Sequence, residues 1–574
     1  MKNSTTVKTE RLDDIPLILS QLEKMGISSL LNNHFPTHGN WGGMSLGDVA
    51  CVWLTHILSE ADHCLDHVRS WSSQRIISLQ GLVNPQISEY DFTDDHLALL
   101  LTYLSDEDAW ASFEKELNQH LLHVYDLNNL CIRHDSTTSS SFRSLLKDEG
   151  SLFQFGPSKD HRPDLPQLKI MLATLDPLGM PLATEVLPGH YADDPLYIPS
   201  IRRVQESLKK KGLLHVGDCK LSSLANRAFI VHSGDAYLCP LSKKQLSEDQ
   251  LQEYLQSAFQ SEEAMREIYR LNAKGKEELI AKGFEREQVL SSEINGIDFC
   301  WKERHLVVRS FQHAQAAERG LNKRLEKAQA QLESLNQRGR GKSRPKDRAT
   351  LEKNIEKIIN QFKVDPFLEV LIKETHRKQP IRRHKDRPAT IRIHWNFQIQ
   401  VSIKQEKLDQ HIQRLGWRVY ATILPKEQFS LEEAILCYRN EFRIEHNFKR
   451  IKGPLSLRPM YLTREDRMTG LIHLLTIALR ALSLIEFNVR QMLEKSQETL
   501  PGLYPENPKR ATSSPTTEKL LQAFKEIYLT VVTQKERTTF FINDLSDLQL
   551  YILELLNLQQ SVYYQLRNHF LEPT

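Results

Sequence analysis

The sequence lacks the short patterns that mark several classes of protein. Its seven cysteines never occur as C-x-x-C, so it carries neither a zinc knuckle nor a redox-active cysteine pair, and a reducing compartment is favoured. The N-terminal stretch MKNSTTVKTERLDD is polar and lacks the apolar core of a signal peptide. We expect no apolar stretch to reach the length that spans a bilayer. A soluble, intracellular protein is therefore predicted.

The sequence also lacks a strong net charge. The formal net charge is +2 and the pI is about 8.0, which would attract nucleic acid only weakly if the charge were evenly spread. The cations are instead concentrated in two clusters, one between Arg319 and Lys353 and one between Lys373 and Arg392. Such clusters can neutralise phosphates. A solvated helix face followed by a basic linker is an equally weighted alternative.

The spacing of apolar residues predicts a mixed α+β fold with several domains. At 574 residues the chain exceeds the size of one economical core. Helical spacing from about residue 10 to residue 125 predicts an all-α N-terminal domain, 1–125. From Leu130 onward, short β-rich runs surround one helical pattern closed by Gly212, which predicts the order β-β-β-α-β. This order is that of an RNase H-like mixed sheet, in which three antiparallel strands precede a helical crossover.

The second half of the chain predicts an insertion and a return to the core. Residues 246 to 375 are charge-rich and predicted as helical, with two antiparallel helices joined by a basic turn that contains Arg340, Lys342 and Arg344. The runs HLVVRS, IRIHWNFQIQVSI and WRVYATIL predict strands, so the insertion, 246–424, is mixed. Helices follow from about 430 to 495. The remaining segment, 496–574, reads as a Pro- and Ser-rich linker with a helical tail.

Two aspartates follow predicted strands. Asp135 comes after Leu130, Cys131 and Ile132, and Asp218 comes after the run that ends at Val216. Adjacent strand ends can bring two carboxylates within metal-bridging distance. The alternative is that each aspartate is a turn or cap residue, which is the more common role of an aspartate after a strand.

Glu445 is the candidate third acid. Steps of three or four residues from Ile435 place Tyr438, Glu445 and Lys452 on one helix face, within a partly apolar stripe. A buried carboxylate needs a partner, and a metal ion would supply one. The alternative is an ion pair between Glu445 and Lys449 at i,i+4. Three carboxylates suffice for two Mg²⁺ ions, which serve phosphodiester chemistry. His134, next to Asp135, is predicted to be structural rather than a transition-metal ligand.

Several stretches of the sequence resemble one family. They are IRHDSTTSS, the long and unusual motif SKDHRPDL from Ser158 to Leu165, HVGDCKLSS and YRNEFRIEHNFKRIKGPL. Together they resemble the DDE transposases of bacterial insertion sequences, in the group with a Tyr-Arg-Glu-Lys signature, and the resemblance extends over most of the chain. The resemblance implies an RNase H-like catalytic core that uses two Mg²⁺ ions, for which Mn²⁺ can substitute.

The resemblance also implies roles for individual residues. The catalytic and metal-binding triad corresponds to Asp135, Asp218 and Glu445. The signature's tyrosine and lysine match Tyr438 and Lys452, but its arginine position holds Glu441. The expected DNA-binding residues are Tyr438, Arg439, Arg443, Lys449, Lys452, Arg340, Lys342 and Arg344, with Arg439 or Arg443 replacing the missing arginine. Trp395 is either a base-stacking residue or a core tryptophan, the core role having more weight.

These expectations together describe a cut-and-paste transposase. Residues 126–245 and 425–495 would form its catalytic domain, and the helical N-terminal domain is a candidate for binding DNA ends. Its partners would be double-stranded DNA, at the terminal inverted repeats and at the target, and a second copy of the chain in a homodimer. It would work in the bacterial cytoplasm, at the nucleoid, with no membrane. The alternatives are an RNase H-like nuclease without strand transfer and an inactive or domesticated DNA-binding protein.

Overall fold

The N-terminal part of the chain is helical, as predicted, after one short strand. The computed structural model describes residues 5–128, 130–142, 150–260, 265–272, 275–294, 296–337, 347–381, 390–507, 509–534 and 537–568. Its first elements are β1 (Thr5–Arg11), α1 (Ile15–Lys24), α2 (Ile27–His34), α3 (Leu46–Glu60), α4 (Leu65–Ser73), α5 (Ile76–Leu82), α6 (Asp94–Leu104) and α7 (Glu107–Val124). Side chains of Ser45, Thr93 and Asp106 accept backbone N–H groups where α3, α6 and α7 begin, so these starts are encoded locally.

The central sheet has the predicted β-β-β-α-β order. Its elements are β2 (Cys131–Ser140), β3 (Gln167–Leu175), β4 (Met180–Pro188), α8 (Tyr197–Leu208), β5 (Leu214–Val216), α9 (Leu224–His232), β6 (Ala236–Pro240) and α10 (Glu248–Gln260). The strands β2, β3 and β4 are antiparallel, whereas β5 runs parallel to both β2 and β6. The resulting order β4-β3-β2-β5-β6 is the mixed sheet that the sequence predicts for an RNase H-like core.

The insertion extends this sheet. It contains β7 (Arg266–Leu271), β8 (Glu277–Ile294), β9 (Ile297–Ser310), α11 (Phe311–Ser334), α12 (Arg348–Phe362), β10 (Leu368–Ile381), β11 (Thr390–Ile403), α13 (Gln405–Arg414) and β12 (Trp417–Thr422). Because β12 pairs with both β6 and β9, the sheet grows to nine strands. The two predicted helices, α11 and α12, are present. The helical prediction for 246–375 is wrong over β7, β8, the part of β9 before His305 and the start of β10. Charged side chains are frequent in these strands, and many of their positions are exposed or half-buried.

The segment that follows the insertion contains the longest helix of the described residues. After α14 (Leu431–Arg439) and α15 (Phe442–Lys452) comes α16 (Glu465–Ser496). By length and composition α16 could cross a membrane, contrary to the expectation from sequence, but 94% of its most apolar window is buried inside the protein. It packs against α3, α6 and β4. Its apolarity is that of a central core helix which joins the N-terminal helices to the sheet.

The C-terminal segment contains a β-hairpin in addition to the predicted helices. Its elements are α17 (Thr517–Gln522), β13 (Tyr528–Gln534), β14 (Arg537–Ile542), α18 (Asp547–Leu555) and α19 (Ser561–Asn568). The strand β13 lies between β1 and β14 and pairs antiparallel with both. The two ends of the chain therefore meet in one small sheet, a long-range pairing that local sequence patterns do not encode.

Candidate active site

The register of the sheet brings Asp135 and Asp218 to the same place. Arg133 on β2 is directly opposite Val216, the last residue of β5, and each aspartate lies two residues beyond this pair. The prediction that Asp135 lies at the end of its strand is wrong, because β2 continues to Ser140 along β3. It lies instead where β5 stops covering β2. The two carboxylates thus lie together at the carboxyl end of β5. The carboxyl ends of parallel strands are where open sheets of this kind bind ligands.

The two carboxylates interact with each other and with polar neighbours. Burial raises the pKa of Asp135, and the negative charge of Asp218 raises it further, while the Lys159 ammonium opposes both effects. The Tyr197 hydroxyl donates to Asp218 Oδ1 at 2.7 Å, and the backbone N–H of Lys220 donates to the same oxygen at 2.8 Å. Asp218 is thereby oriented from two sides, whereas Asp135 is oriented by a cation.

The cation is the ammonium group of Lys159, the second residue of the unusual motif Ser158–Leu165. Its Nζ donates to Asp135 Oδ1 at 3.0 Å and to the Ser136 carbonyl at 2.7 Å, and it lies 3.9 Å from Asp193 Oδ2. The buried Lys169 ammonium donates to Asp193 at 2.6 Å. The sequence marked this motif as distinctive without assigning it a task. In the folded chain this motif places the Lys159 ammonium against Asp135.

The helix that bears the predicted third acid is interrupted. The predicted continuous face from Ile435 to Lys452 is wrong, because α14 ends at Arg439 and α15 begins at Phe442. Phe442, which would extend the apolar stripe, is 59% exposed. Tyr438 remains buried against the ring of Tyr420, at 4.8 Å between ring centroids.

The carboxylate of Glu441 lies in the junction between α14 and α15. Burial raises its pKa, and the charges of Asp135, Glu445 and Asp218 raise it further, against a hydrogen bond donated by the Tyr438 hydroxyl. The residue that departs from the family signature is therefore part of the acidic cluster. In the sequence, Glu441 stands out only as the residue that replaces the arginine of the signature.

Glu445 lies one turn beyond Glu441 and is exposed rather than buried. The predicted stripe is thus wrong at this position: the buried side of α15 is formed by Ile444, Asn447, Phe448, Arg450 and Ile451. Among the described residues, no cation lies within 4.0 Å of the Glu445 carboxylate, so the alternative pair with Lys449 is not formed. The charge of Glu445 raises the pKa of Glu441 and so contributes to the acidic cluster.

Lys452 fastens the end of α15 to the same region. Its Nζ donates to Thr137 Oγ1 on β2 and to Asp160 Oδ1, both at 2.8 Å. Asp160 follows Lys159 in the motif and also accepts a hydrogen bond from Arg458. One loop therefore contacts Asp135 through Lys159 and the helix α15, which bears Glu445, through Asp160.

The other predicted DNA-binding residues are spread over different surroundings. Arg439 donates to the Ile280 carbonyl and to Ser310 Oγ, so it bridges α14 to the insertion strands. Arg443 is half-buried and Lys449 is exposed. Arg340, Lys342 and Arg344 lie outside the described residues. Trp395 is 47% exposed, which excludes the core role that was given more weight.

His134 is structural, as predicted. Its Nδ1 lies 3.0 Å from Ser200 Oγ and its Nε2 lies 2.9 Å from His215 Nδ1, and His215 Nε2 lies 3.1 Å from Asp235 Oδ2. Because the Asp235 carboxylate accepts, His215 donates to it from Nε2 and accepts from His134 at Nδ1. Both His134 nitrogens are then engaged in a buried chain that ties β2 to β5 beneath the two aspartates.

The donor set fits a divalent cation of the Mg²⁺ type. It offers hard carboxylate oxygens, and the raised pKa values of Asp135 and Glu441 express burial and mutual repulsion that a cation would relieve. The Lys159 ammonium already balances part of this negative charge, at Asp135. Among the described residues, the group with three ligand atoms within 4.8 Å of one another is Asp62, Cys64 and His67, which includes none of these acids.

Comparisons with known proteins find similarity among solved structures but no match in sequence. No family model matches the chain, and no curated protein matches its sequence. Among solved structures, the chain is similar to a piggyBac transposase in a synaptic complex with hairpin DNA, determined by cryo-EM. The TM-score is 0.36 at 8% identity, over 99% of this chain and 88% of that chain. The residues of the site are therefore the basis on which a function is inferred.

Proposed function

We propose that this protein is a DDE-type DNA transposase of the bacterial insertion-sequence kind, which cleaves the ends of its element and joins them to target DNA. The observation that carries the proposal is the convergence of Asp135 and Asp218 at the end of β5, with Glu441 adding its charge. The motifs that resemble the family contain both of these aspartates. The proposal assigns Asp135, Asp218 and Glu445 as the catalytic triad.

The chemistry requires the carboxylates to hold two Mg²⁺ ions, which would activate the attacking oxygen and stabilise the leaving oxygen of a phosphodiester. Asp135 and Asp218 are held ready for this by the β2–β5 register and by the Tyr197 hydrogen bond. Glu445 is exposed and unpaired among the described residues, so its carboxylate can turn toward the two aspartates without breaking an ion pair.

Cationic side chains around the acids suit a phosphate backbone. Lys159 already lies against Asp135, and Lys452 is held by Asp160 at the end of α15. Arg443 and Lys449, on α15, have no described carboxylate within 4.0 Å. Double-stranded DNA is the proposed partner, and a homodimer would pair the two ends.

Cleavage by purified full-length protein tests the proposal. The substrates are duplexes copied from the DNA on either side of the coding sequence, with Mg²⁺ present or chelated. The wild type should cut at a terminal repeat, and Asp218→Asn should lose activity by at least about 100-fold while still binding. Asp164→Asn, which makes the same change at an exposed carboxylate of the motif Ser158–Leu165, is the control. Wild-type activity without Mg²⁺, or full activity in Asp218→Asn, would contradict the proposal.

Precut ends with a plasmid target separate transposition from simple hydrolysis. A transposase joins the free 3′-OH to the plasmid, whereas a nuclease of the same fold releases fragments only. An inactive, DNA-binding descendant of a transposase would retard the duplex in an electrophoretic mobility assay but would cut neither substrate.

The two glutamates near the cluster are distinguished by Glu445→Gln and Glu441→Gln. Glu445→Gln should remove cleavage, with a loss of about 100-fold or more. Glu441→Gln should retain a measurable rate, because its carboxylate is engaged by the Tyr438 hydroxyl. The reverse order of activities would make Glu441 the third acid in place of Glu445.

A further inference from the structure

The strands β10 and β11 form an extended ribbon with two different faces. They are 14-residue strands that pair antiparallel from Leu368↔Ile403 to Ile381↔Thr390. Directly opposite residues share a face, and successive residues alternate between faces. One face, here called the polar face, includes Lys373 opposite Gln398, Thr375 opposite Asn396, and Gln379 opposite Arg392, with Arg377 between them.

The opposite face anchors the ribbon. Near its base, Ile399 is buried, and Ile372 and Phe397 are half-buried, in a cluster with residues of α11 and α12. The Asn336 side chain, just after α11, also bonds both backbone groups of Ile399 at 2.7 Å. The polar face is consequently turned away from the helices, and its side chains are exposed apart from the half-buried Asn396.

The charge of the polar face is unbalanced. Lys373, Arg377 and Arg392 have no carboxylate within 4.0 Å among the residues that the structure describes. The polar face also carries the exposed Glu369, opposite Ser402 near its base, so its three cations still exceed its acids. Glu374 lies on the opposite face and is paired with Arg348 at 2.9 Å. Between these cations are amide and hydroxyl groups, which can donate and accept hydrogen bonds. Free cations interspersed with amides complement a polyanion that also presents hydrogen-bonding edges.

We propose that the polar face of the β10–β11 ribbon enters the major groove of duplex DNA. This groove is about 12 Å wide and admits a two-stranded ribbon. The cations, Arg377 among them, would bind phosphates, and Gln398 and Asn396 carry the side-chain type that recognises adenine edges. The inference rests on the proposed function for its partner, and it adds a sequence-reading surface remote in sequence from the acids.

Two neighbouring cations on opposite faces test which face binds. Arg377→Gln removes a charge from the polar face, and Lys378→Gln removes one from the other face, where Lys378 is opposite Ile393. Both side chains are exposed. With full-length protein and a short mixed-sequence duplex, Arg377→Gln should weaken binding by about tenfold. The slope of log affinity against log salt concentration should become shallower by about one, as expected for the loss of one phosphate contact. Lys378→Gln should change affinity by less than about twofold. Equal losses would overturn the proposal.

An uncharged variant tests whether bases are read. Duplexes enriched by wild-type protein from a randomised pool should lose their advantage over the mixed-sequence duplex in Gln398→Ala, with salt dependence unchanged. Methylation of guanine N7, which lies in the major groove, should block binding of the enriched duplexes by the wild type. A pool that is not enriched, or a preference that survives in Gln398→Ala, would overturn base recognition by this face.

The outcomes separate this inference from the proposed function. Mg²⁺-dependent end cleavage by the wild type, together with equal binding by the Arg377→Gln and Lys378→Gln variants, would reject the ribbon alone. Binding that depends on the polar face, in a wild type that never cleaves, would reject the transposase alone.

Discussion

The Lys159 ammonium donates to Asp135 Oδ1 at 3.0 Å, and it is the cation that burial and the charge of Asp218 demand beside this carboxylate. The acids around it in turn raise the pKa of Lys159, against the opposing effect of burial. A residue from the most distinctive motif of the sequence therefore sets the electrostatic state of the first proposed catalytic residue.

Replacing Lys159 by Met should shift the acid limb of cleavage to higher pH. Without the ammonium, burial and Asp218 raise the pKa of Asp135 unopposed, so the carboxylate is protonated over a wider range and binds Mg²⁺ more weakly. Rates measured across pH at several Mg²⁺ concentrations check this. Lys159→Arg should restore most of the profile, and Lys220→Met, which removes an exposed lysine paired with Asp194, is the control. An unchanged acid limb in Lys159→Met would refute the coupling.

The order of the central sheet was predictable because its strands are continuous apolar runs. Every residue of β3 is buried, and such runs give a strong local signal. The strand β8 gives none: its buried residues, from Ile280 to Phe284, are followed by alternating exposed and half-exposed positions rich in charge. The pairing of β1 with β13 could not be predicted for another reason: it joins segments from opposite ends of the chain.

The site was predictable in part for related reasons. Asp135 and Asp218 follow recognisable apolar runs, so their convergence could be expected before the fold was known. The break between α14 and α15 could not, because Phe442 continues the apolar spacing across it while being exposed. Contacts such as that of Lys159 with Asp135 depend on a loop folding back onto β2, which no local pattern specifies.

Asp160→Asn should destabilise the protein at neutral pH. Burial alone would raise the pKa of Asp160, but hydrogen bonds from Lys452 and Arg458 outweigh it and lower the pKa. A carboxylate with a lowered pKa stabilises the fold above its ordinary pKa of 3.8, and this contribution is lost as pH falls through the folded pKa. We expect a loss of about 1 to 2 kcal/mol at neutral pH, which shrinks in acid.

Unfolding midpoints in urea, measured at neutral and acid pH, check the Asp160 prediction. The control is Asp164→Asn, whose exposed pair with Arg162 should contribute little. A difference between wild type and Asp160→Asn that stays constant as pH falls would rule out the charge as the cause.

Glu114→Gln should be strongly destabilising because it strands a buried cation. Glu114 on α7 accepts from Arg480 of α16 at 2.7 Å and from Arg203 of α8 at 2.9 Å, and Arg480 is fully buried. Leaving one member of a buried pair uncompensated costs about 3 to 5 kcal/mol. Adding Arg480→Met to Glu114→Gln should recover part of the loss, as measured by chemical denaturation. A double variant less stable than the single one would show that packing of the Arg480 side chain dominates.

His473 should make the stability of the core depend on pH below neutrality. Its ring is stacked on Trp110 at 4.1 Å and donates from Nδ1 to the Leu104 carbonyl at 2.8 Å. Burial lowers the pKa of His473 from 6.5 to about 3. Between these values the unfolded chain binds a proton that the folded chain does not, so stability falls as pH falls through this window and is unaffected above it.

The variant His473→Gln keeps a side-chain donor but removes this titration. Between pH 7 and pH 5 its thermal midpoint should fall less than that of the wild type, although its midpoint at pH 7 is expected to be lower because the stacking on Trp110 is lost. His190→Gln, which removes an exposed histidine, should follow the wild type. Parallel curves for wild type and His473→Gln would assign the acid sensitivity of the fold to other groups.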